Sequence, residues 1–183
     1  MEQDARKAQV PLKGRGAASR VPSRFDTTAT VGVDDGWESV YQEMEDAPPL
    51  RTQVQEERAR TVISHNSSPD VGFSASVNPY RGCEHGCVYC FARPSHSYLS
   101  LSPGLDFETR LFAKTNAPER LRAEISKSNY KCTPIALGIN TDGYQPIERN
   151  YQITRQCLEV LADAKHPVSF VTKSALILSL IHI

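Results

Sequence analysis

The chain has 183 residues, of which 39% are hydrophobic, and its 21 Lys and Arg residues balance its 21 Asp and Glu residues. This length suits one ordinary domain, and the neutral net charge excludes an overall field that would steer the protein onto a polyanion. No apolar run approaches the ~20 residues that a membrane span needs, and the N-terminus lacks the apolar core of a signal sequence. We therefore expect a cytoplasmic protein with no membrane partner.

The first 60 residues are charged and are interrupted by Pro and Gly. Their few apolar residues follow neither the helical nor the strand period, which predicts a disordered tail over 1–60. Trp37 and Tyr41 could dock this tail on the folded part, or could be incidental aromatics of a solvated segment. The folded part is expected to begin near Val62.

After the tail, the pattern predicts alternating strands and helices. The predicted elements are, in chain order, a strand at 72–80, a strand at 109–114, a helix at 117–127, a strand at 133–140, a helix at 149–164 and a buried strand at 168–172. This alternation is typical of an α/β protein with right-handed βαβ units and a mainly parallel sheet. Functional residues are then expected at the carboxyl ends of the strands.

The number of predicted strands is too small for a closed barrel. At ~30 residues for each βαβ unit, the chain after the tail supplies three or four strands. The last six residues, 178–183, end abruptly a helix that has just begun, and they are a possible translation of a transposon end used in sequencing libraries; the alternative is a short helix that occurs by chance. We expect 178–183 to be an artefactual tail on a C-terminally truncated chain.

Three of the five cysteines lie on one short loop, where Cys83, Cys87 and Cys90 have the spacing C-x3-C-x2-C. Such crowding suits a metal site in a reducing compartment better than a disulfide framework. Gly82 and Gly86 would let the backbone approach the inorganic sulfurs of an iron–sulfur cube. Because no fourth cysteine is near, one iron would keep an open coordination site.

This loop resembles the signature of the radical S-adenosylmethionine superfamily, C-x3-C-x-aromatic-C, with Tyr89 as the aromatic residue. The wider motifs NPYRGCEHGCVYCFARPSH, SPGLDFE and TDGYQPIE are similar to the branch related to spore photoproduct lyase and DNA repair photolyase-like proteins. The resemblance runs from Val62 to Ala175. It implies the N-terminal part of a partial (β/α)6 barrel, incomplete, over 62–177.

The resemblance also implies the cofactors. Cys83, Cys87 and Cys90 would hold a 4Fe-4S cluster, whose free iron chelates S-adenosylmethionine. One electron from a low-potential donor then yields a 5′-deoxyadenosyl radical, which abstracts hydrogen from a substrate. The reaction is of lyase or transferase type, and nucleic acid is one expected substrate. With half of the barrel missing, this chain alone is expected to be inactive.

Four further residues are expected to bind S-adenosylmethionine. Tyr89 would pack against the adenine. Thr141 and Asp142 follow the strand at 133–140, where enzymes of this kind usually hold the amino or ribose groups. Lys173 ends the strand at 168–172 and would pair with the carboxylate.

Two alternatives stay open. The first is the same radical chemistry on a protein or a small molecule, with no DNA affinity. The second is a non-catalytic zinc or iron–sulfur module, in which His85 or His96 would complete a zinc site. Elsewhere, Cys157 is expected to be a packed thiol of its helix. Glu148 is either a substrate-side carboxylate or an acid that the helix dipole favours.

Overall fold

The computed structural model describes residues 14–27 and 50–180. Its strands are β1 (Gln53–Glu57), β2 (Ile63–His65), β3 (Ala75–Val77), β4 (Tyr80–Arg81), β5 (Arg110–Lys114), β6 (Ile135–Leu137) and β7 (Val168–Phe170). Its α-helices are α1 (Leu105–Thr109), α2 (Ala117–Ile125), α3 (Glu148–Tyr151) and α4 (Ile153–Asp163). Two 3-10 helices span Arg93–Leu99 and Ala175–Leu180.

The strands form two small mixed sheets. The larger has the order β2-β3-β6-β7, in which β3, β6 and β7 are parallel and β2 is antiparallel to β3. Helix α2 precedes β6 and helix α4 precedes β7, and these two helices pack against each other, as expected for successive βαβ units. The smaller sheet has the order β1-β5-β4, with β1 parallel and β4 antiparallel to β5.

The chain crosses from the larger to the smaller sheet at Asn78 and Pro79, between β3 and β4. The predicted strand at 72–80 is thus divided between two sheets. Neither sheet closes on itself within the described residues. The architecture is mixed α/β, and the partial (β/α)6 barrel stays a prediction.

The core lies between the larger sheet and helices α2 and α4. Buried strand residues meet buried helix residues there, among them Val77, Ile135, Leu137, Leu121, Ile153, Cys157 and Leu161. On α4 the spacing of Ile153, Cys157 and Leu161 places their side chains on one face. Burial raises the pKa of the Cys157 thiol to about 12, as suits the packed thiol that the sequence predicts.

The predicted helix at 149–164 is broken at Gln152, whose φ is 50°. The cause is Glu148, whose buried carboxylate accepts the N–H groups of Thr154 (3.1 Å) and Arg155 (2.9 Å) and the hydroxyl of Tyr80. Glu148 therefore satisfies the first turn of α4. Of the two interpretations of Glu148, the structure favours the helix-terminal one.

Strand β7 differs from the expectation of a buried strand. It pairs only with β6 among the described strands, and Val168 is 40% exposed. An apolar run such as Val168–Phe170 does not distinguish a central strand from an edge strand.

In the parts that the structure describes, the predicted disordered tail is bonded to the rest of the protein. Strand β1 pairs with β5 along five residues although its sequence is QVQEE, and Ser23 donates to the carbonyl of Ser97. These contacts use backbone and polar groups, which hydrophobic periodicity does not detect. Trp37, Tyr41 and 181–183 lie outside the described residues. No described helix has the length and apolarity of a membrane span.

Candidate functional site

The cysteine loop, residues 82–90, connects β4 to the 3-10 helix Arg93–Leu99. Gly82 and Gly86 have φ angles of +74° and +60°, which L side chains rarely adopt. A Cβ atom at Gly82 would lie 2.9 Å from the Phe107 carbonyl oxygen, and one at Gly86 would lie 2.6 Å from Cβ of Arg15. Both glycines are thus required by the turns and by protein neighbours, a reason independent of the expected approach to inorganic sulfur.

Backbone hydrogen bonds and one guanidinium hold the cysteine loop. The N–H of Cys83 donates to the carbonyl of Phe107 at 2.9 Å, and the N–H of Cys90 donates to the carbonyl of Cys87 at 3.2 Å. Nε of Arg93 also donates to the Cys87 carbonyl, at 3.0 Å. The backbone at all three cysteines is therefore fixed by the protein itself.

Arg93 is anchored in turn by Glu108, which is fully buried on α1. Nη2 of Arg93 lies 2.5 Å from Oε1 of Glu108. The second oxygen of Glu108 accepts the N–H groups of Arg15 (2.7 Å) and Gly16 (3.0 Å). Since every partner of this carboxylate is a donor, the charge is compensated, and the segment around Arg15 is joined to the loop.

The three thiols differ in exposure. Cys83 is buried, whereas Cys87 and Cys90 are partly exposed. Burial raises the pKa of Cys83 to about 11, although the N–H groups of His85 and Asp142 act in the opposite direction. A metal bound by Cys83 would therefore displace a proton at neutral pH.

Lys173 reaches the cysteine loop from the end of β7. Its Nζ lies 3.1 Å from Sγ of Cys87 and 5.6 Å from the ring centroid of Tyr89. These contacts with Cys87 and Tyr89 raise the pKa of Lys173, so it carries its charge at neutral pH. Cys87, Tyr89 and Lys173 therefore lie close together, although 86 positions separate Cys87 from Lys173. The sequence predicts that Cys87 binds the cluster and that Tyr89 and Lys173 bind S-adenosylmethionine. The ring of Tyr89 remains 77% exposed.

Asp142 connects the ends of β6 and β7 to the cysteine loop. Its carboxylate accepts the N–H of Lys173 (2.7 Å), the hydroxyl of Thr172 (2.7 Å) and the N–H of Tyr144 (2.8 Å). Nε2 of His85 lies 3.3 Å from Oδ2 of Asp142. Burial acts to raise the pKa of Asp142, but these donors lower it on balance. Both oxygens of Asp142 are therefore used within the protein.

Thr141 is buried beside Asp142, and its hydroxyl donates to the carbonyl of Tyr80 at 2.9 Å. This bond joins the loop after β6 to strand β4, just before the cysteine loop. The contact of Thr141 with S-adenosylmethionine stays a prediction, and the described role of the side chain is to hold that loop in place.

His96 packs behind the cysteine loop. It is fully buried, its Nε2 lies 2.9 Å from the carbonyl oxygen of Arg110, and its ring meets Phe107 and Phe112 edge-on. Burial lowers the pKa of His96, which favours the neutral imidazole. Its surroundings suit a packing role, in contrast to the zinc ligand considered from the sequence.

Three cysteines on one loop are the type of ligand that an iron–sulfur cluster takes, and cluster binding stays a prediction. Within 14–27 and 50–180, no three or more His, Cys, Asp or Glu side chains are grouped so that they could hold a metal ion. Three ligands of a 4Fe-4S cube each bind a different iron, so their sulfurs need not converge on one point. A single zinc ion would require that convergence.

Sequence reasoning missed two residues that support the loop. Arg93 bonds to the loop backbone, a role that the sequence pattern does not indicate. Gln145 is fully buried and contacts the backbone on both sides of Cys83. The available signal was the position of Gln145 inside the TDGYQPIE motif, but its partners lie about 60 residues earlier.

Comparisons with known proteins give relatives without an assigned activity. Uncharacterized proteins of Mycobacterium tuberculosis and Mycobacterium bovis are each 44% identical over 105 residues, which are 57% of this chain and 31% of the relative. An uncharacterized protein of Methanocaldococcus jannaschii is 26% identical over 121 residues, which are 66% of this chain and 42% of the relative. No family model and no solved structure matches the chain. The chain therefore spans less than half the length of these curated relatives.

Proposed function

We propose that this chain is part of a radical S-adenosylmethionine enzyme, in which Cys83, Cys87 and Cys90 hold a 4Fe-4S cluster. The observation that supports this most directly is the contact of the Lys173 ammonium with the Cys87 sulfur beside Tyr89. A cluster ligand, an adenine-stacking ring and a carboxylate-binding cation are the groups that such a site needs around one cofactor.

When bound, the cluster and S-adenosylmethionine supply a radical that abstracts hydrogen from a substrate. The protein's own residues bind, orient and hold protons. Lys173 keeps its proton and presents a positive charge to the cofactor carboxylate, while Asp142 fixes the backbone of Lys173. Tyr89 offers an exposed ring face for the adenine. Cys83 gives up its proton on ligation.

Nucleic acid is the substrate class that we propose. Exposed aromatic side chains occur in the segment that follows the cysteine loop, where Phe91 is 73% and Tyr98 70% exposed. The guanidinium of Arg24 lies 4.6 Å from the ring centroid of Tyr98. Exposed rings next to a cation are suited to stacking with unpaired bases and to contact with the phosphate backbone. A low-potential electron donor and the reducing cytoplasm complete this proposal.

Cluster binding is tested by anaerobic reconstitution of the chain with iron and sulfide. Alanine at Cys83, Cys87 or Cys90 should abolish the iron–sulfur absorbance, whereas Cys132→Ala and Cys157→Ala should retain it. One equivalent of zinc with no iron–sulfur absorbance would instead favour the zinc module. A full cluster signal in Cys87→Ala would contradict the assignment of ligands.

Radical chemistry is tested in a longer protein, of the same length as the relatives, that contains this 183-residue segment. The reduced, reconstituted protein should release 5′-deoxyadenosine from S-adenosylmethionine. The protein should also bind a fluorescent oligonucleotide, and unlabelled single-stranded DNA should displace that oligonucleotide. Release of 5′-deoxyadenosine without oligonucleotide binding would favour a protein or small-molecule substrate. An iron–sulfur protein that neither binds nor cleaves S-adenosylmethionine would contradict the enzyme.

A further inference from the structure

We infer that Gln145 is a positioning residue for Cys83, an inference that rests on the proposed function because it treats Cys83 as a cluster ligand. The side chain of Gln145 is fully buried. Its Nε2 donates to the carbonyl of Gly82 at 3.1 Å, and its Oε1 accepts the N–H of Glu84 at 2.9 Å. One amide therefore bridges the residues before and after Cys83.

This bridge acts where the backbone has most freedom. Gly82 has φ +74°, and a glycine populates many conformations unless its neighbours fix it. The Gln145 amide and the Phe107 carbonyl thus hold the carbonyl of Gly82 and the N–H groups of Cys83 and Glu84 from outside the loop. The direction of the Cα–Cβ bond of Cys83 is then set by the turn that carries Gln145 and by helix α1, which carries Phe107.

The turn that carries Gln145 is itself held by a backbone hydrogen bond. The N–H of Gln145 donates to the carbonyl of Asp142 at 3.3 Å. Residues 142–145 thus hold the backbone on both sides of Cys83 through the Gln145 side chain. Since the Asp142 carboxylate accepts the N–H of Lys173, the same turn links Cys83 to the cation beside Cys87.

Glutamine suits this position because the bridge needs one donor and one acceptor at a fixed distance. A methionine has similar length but supplies neither, and a glutamate supplies only acceptors. Either change leaves the Gly82 carbonyl without its donor in a buried place. The Cys83 sulfur should then lose its defined direction while Cys87 and Cys90, which Gln145 does not contact, keep theirs.

The test compares Gln145→Met and Gln145→Glu with Gln156→Met, which changes an exposed glutamine of α4. In the metal-free full chain, the alkylation rate of each cysteine by iodoacetamide is measured by peptide mass spectrometry. After anaerobic reconstitution with iron and sulfide, the iron content and the electron paramagnetic resonance spectrum of the reduced protein are recorded. Circular dichroism verifies that each variant is folded.

In Gln145→Met we expect Cys83 to be alkylated at least tenfold faster than in the wild type, with Cys87 and Cys90 changed less than twofold. Iron content should fall several-fold. Gln145→Glu should show the same pattern at least as strongly, because a carboxylate oxygen would face the Gly82 carbonyl, and Gln156→Met should match the wild type. Unchanged labelling of Cys83 in a folded Gln145→Met protein would overturn the inference. Equal acceleration at all three cysteines would also overturn it, since that result describes general loosening.

The two proposals fail separately. If the wild type takes up no cluster, the proposed function fails, while the labelling of Cys83 still decides whether Gln145 positions this residue. If the wild type takes up a cluster and Gln145→Met gives the same iron content and the same spectrum, the positioning role fails and the proposed function stands.

Discussion

The ammonium of Lys173 lies 3.1 Å from the sulfur of Cys87, which brings the end of β7 onto the cysteine loop. Lys173 follows β7 of the larger sheet, whereas the cysteine loop follows β4 of the smaller sheet, so this contact joins segments that extend from two different sheets. Lys173 is exposed, and its cation is available to a ligand placed over Cys87.

Replacing Lys173 by Met should therefore weaken the binding of S-adenosylmethionine to the reconstituted protein by about tenfold, because one charge-assisted contact is lost. Lys173→Arg should retain most of the affinity, since it keeps the charge. The measurement is a titration followed by the electron paramagnetic resonance spectrum of the reduced cluster, with Lys127→Met, an exposed lysine remote in sequence, as the control. Equal affinity in Lys173→Met and the wild type would contradict the assigned role.

Asp142 should contribute stability that depends on pH. Its pKa is lowered from the ordinary value of 3.8, because the contacts with His85, Lys173, Thr172 and Tyr144 outweigh the effect of burial. A carboxyl with a lowered folded pKa binds fewer protons when folded than when unfolded, so its contribution is present above pH 3.8 and is lost as the pH falls through the lowered value. Asp142→Asn should cost about 1–3 kcal/mol at neutral pH.

The difference between the wild type and Asp142→Asn should shrink below about pH 4. Urea unfolding at pH 7 and at pH 3 measures both values, with Asp163→Asn, an exposed acid on α4, as the control. A difference that stays constant between the two pH values would show that the Asp142 carboxylate is not ionised preferentially in the folded protein.

Sequence predicts the elements whose stability comes from apolar packing. Strand β5 was predicted at 109–114 and is found at Arg110–Lys114, because its side chains alternate between the core and the outside. Strand β1 was not predicted, since its sequence QVQEE has no apolar face and its pairing is made by the backbone. The break at Gln152 was missed for a similar reason, because it depends on hydrogen bonds to the Glu148 carboxylate.

The candidate site divides in the same way. The cysteine spacing and the strand-end positions of Asp142 and Lys173 are local signals, and the structure brings those residues to the cysteine loop. The bridge made by Gln145 was not predictable, because a side-chain amide that bonds to distant backbone leaves no periodic pattern. The same holds for Arg93, whose buried charge is compensated by Glu108.

Glu108→Gln should lower the free energy of unfolding by about 3 kcal/mol or more, because it leaves the Arg93 cation, with only 13% of its side chain exposed, without a charged partner. The new amide nitrogen would also face an N–H donor, since all partners of this carboxylate are donors. Urea denaturation gives the value. The matched control removes the exposed pair of Arg122 and Asp163, where Asp163→Asn should cost less than ~1 kcal/mol. Similar losses for both variants would contradict a buried, compensated Glu108.

Two glycines provide the sharpest comparison of backbone effects. Gly82 has φ +74°, and an added Cβ would meet Cδ2 of Leu111 at 2.6 Å and the Phe107 carbonyl at 2.9 Å. Gly82→Ala should therefore cost more than ~2 kcal/mol, from roughly 1–2 kcal/mol of left-handed strain and from displacement of the neighbours. At Gly72 an added Cβ meets nothing within 4 Å, so Gly72→Ala should be neutral or slightly stabilising. Thermal and urea unfolding of both variants compares these effects, and a Gly82→Ala protein as stable as the wild type would mean that this turn does not hold the start of the cysteine loop.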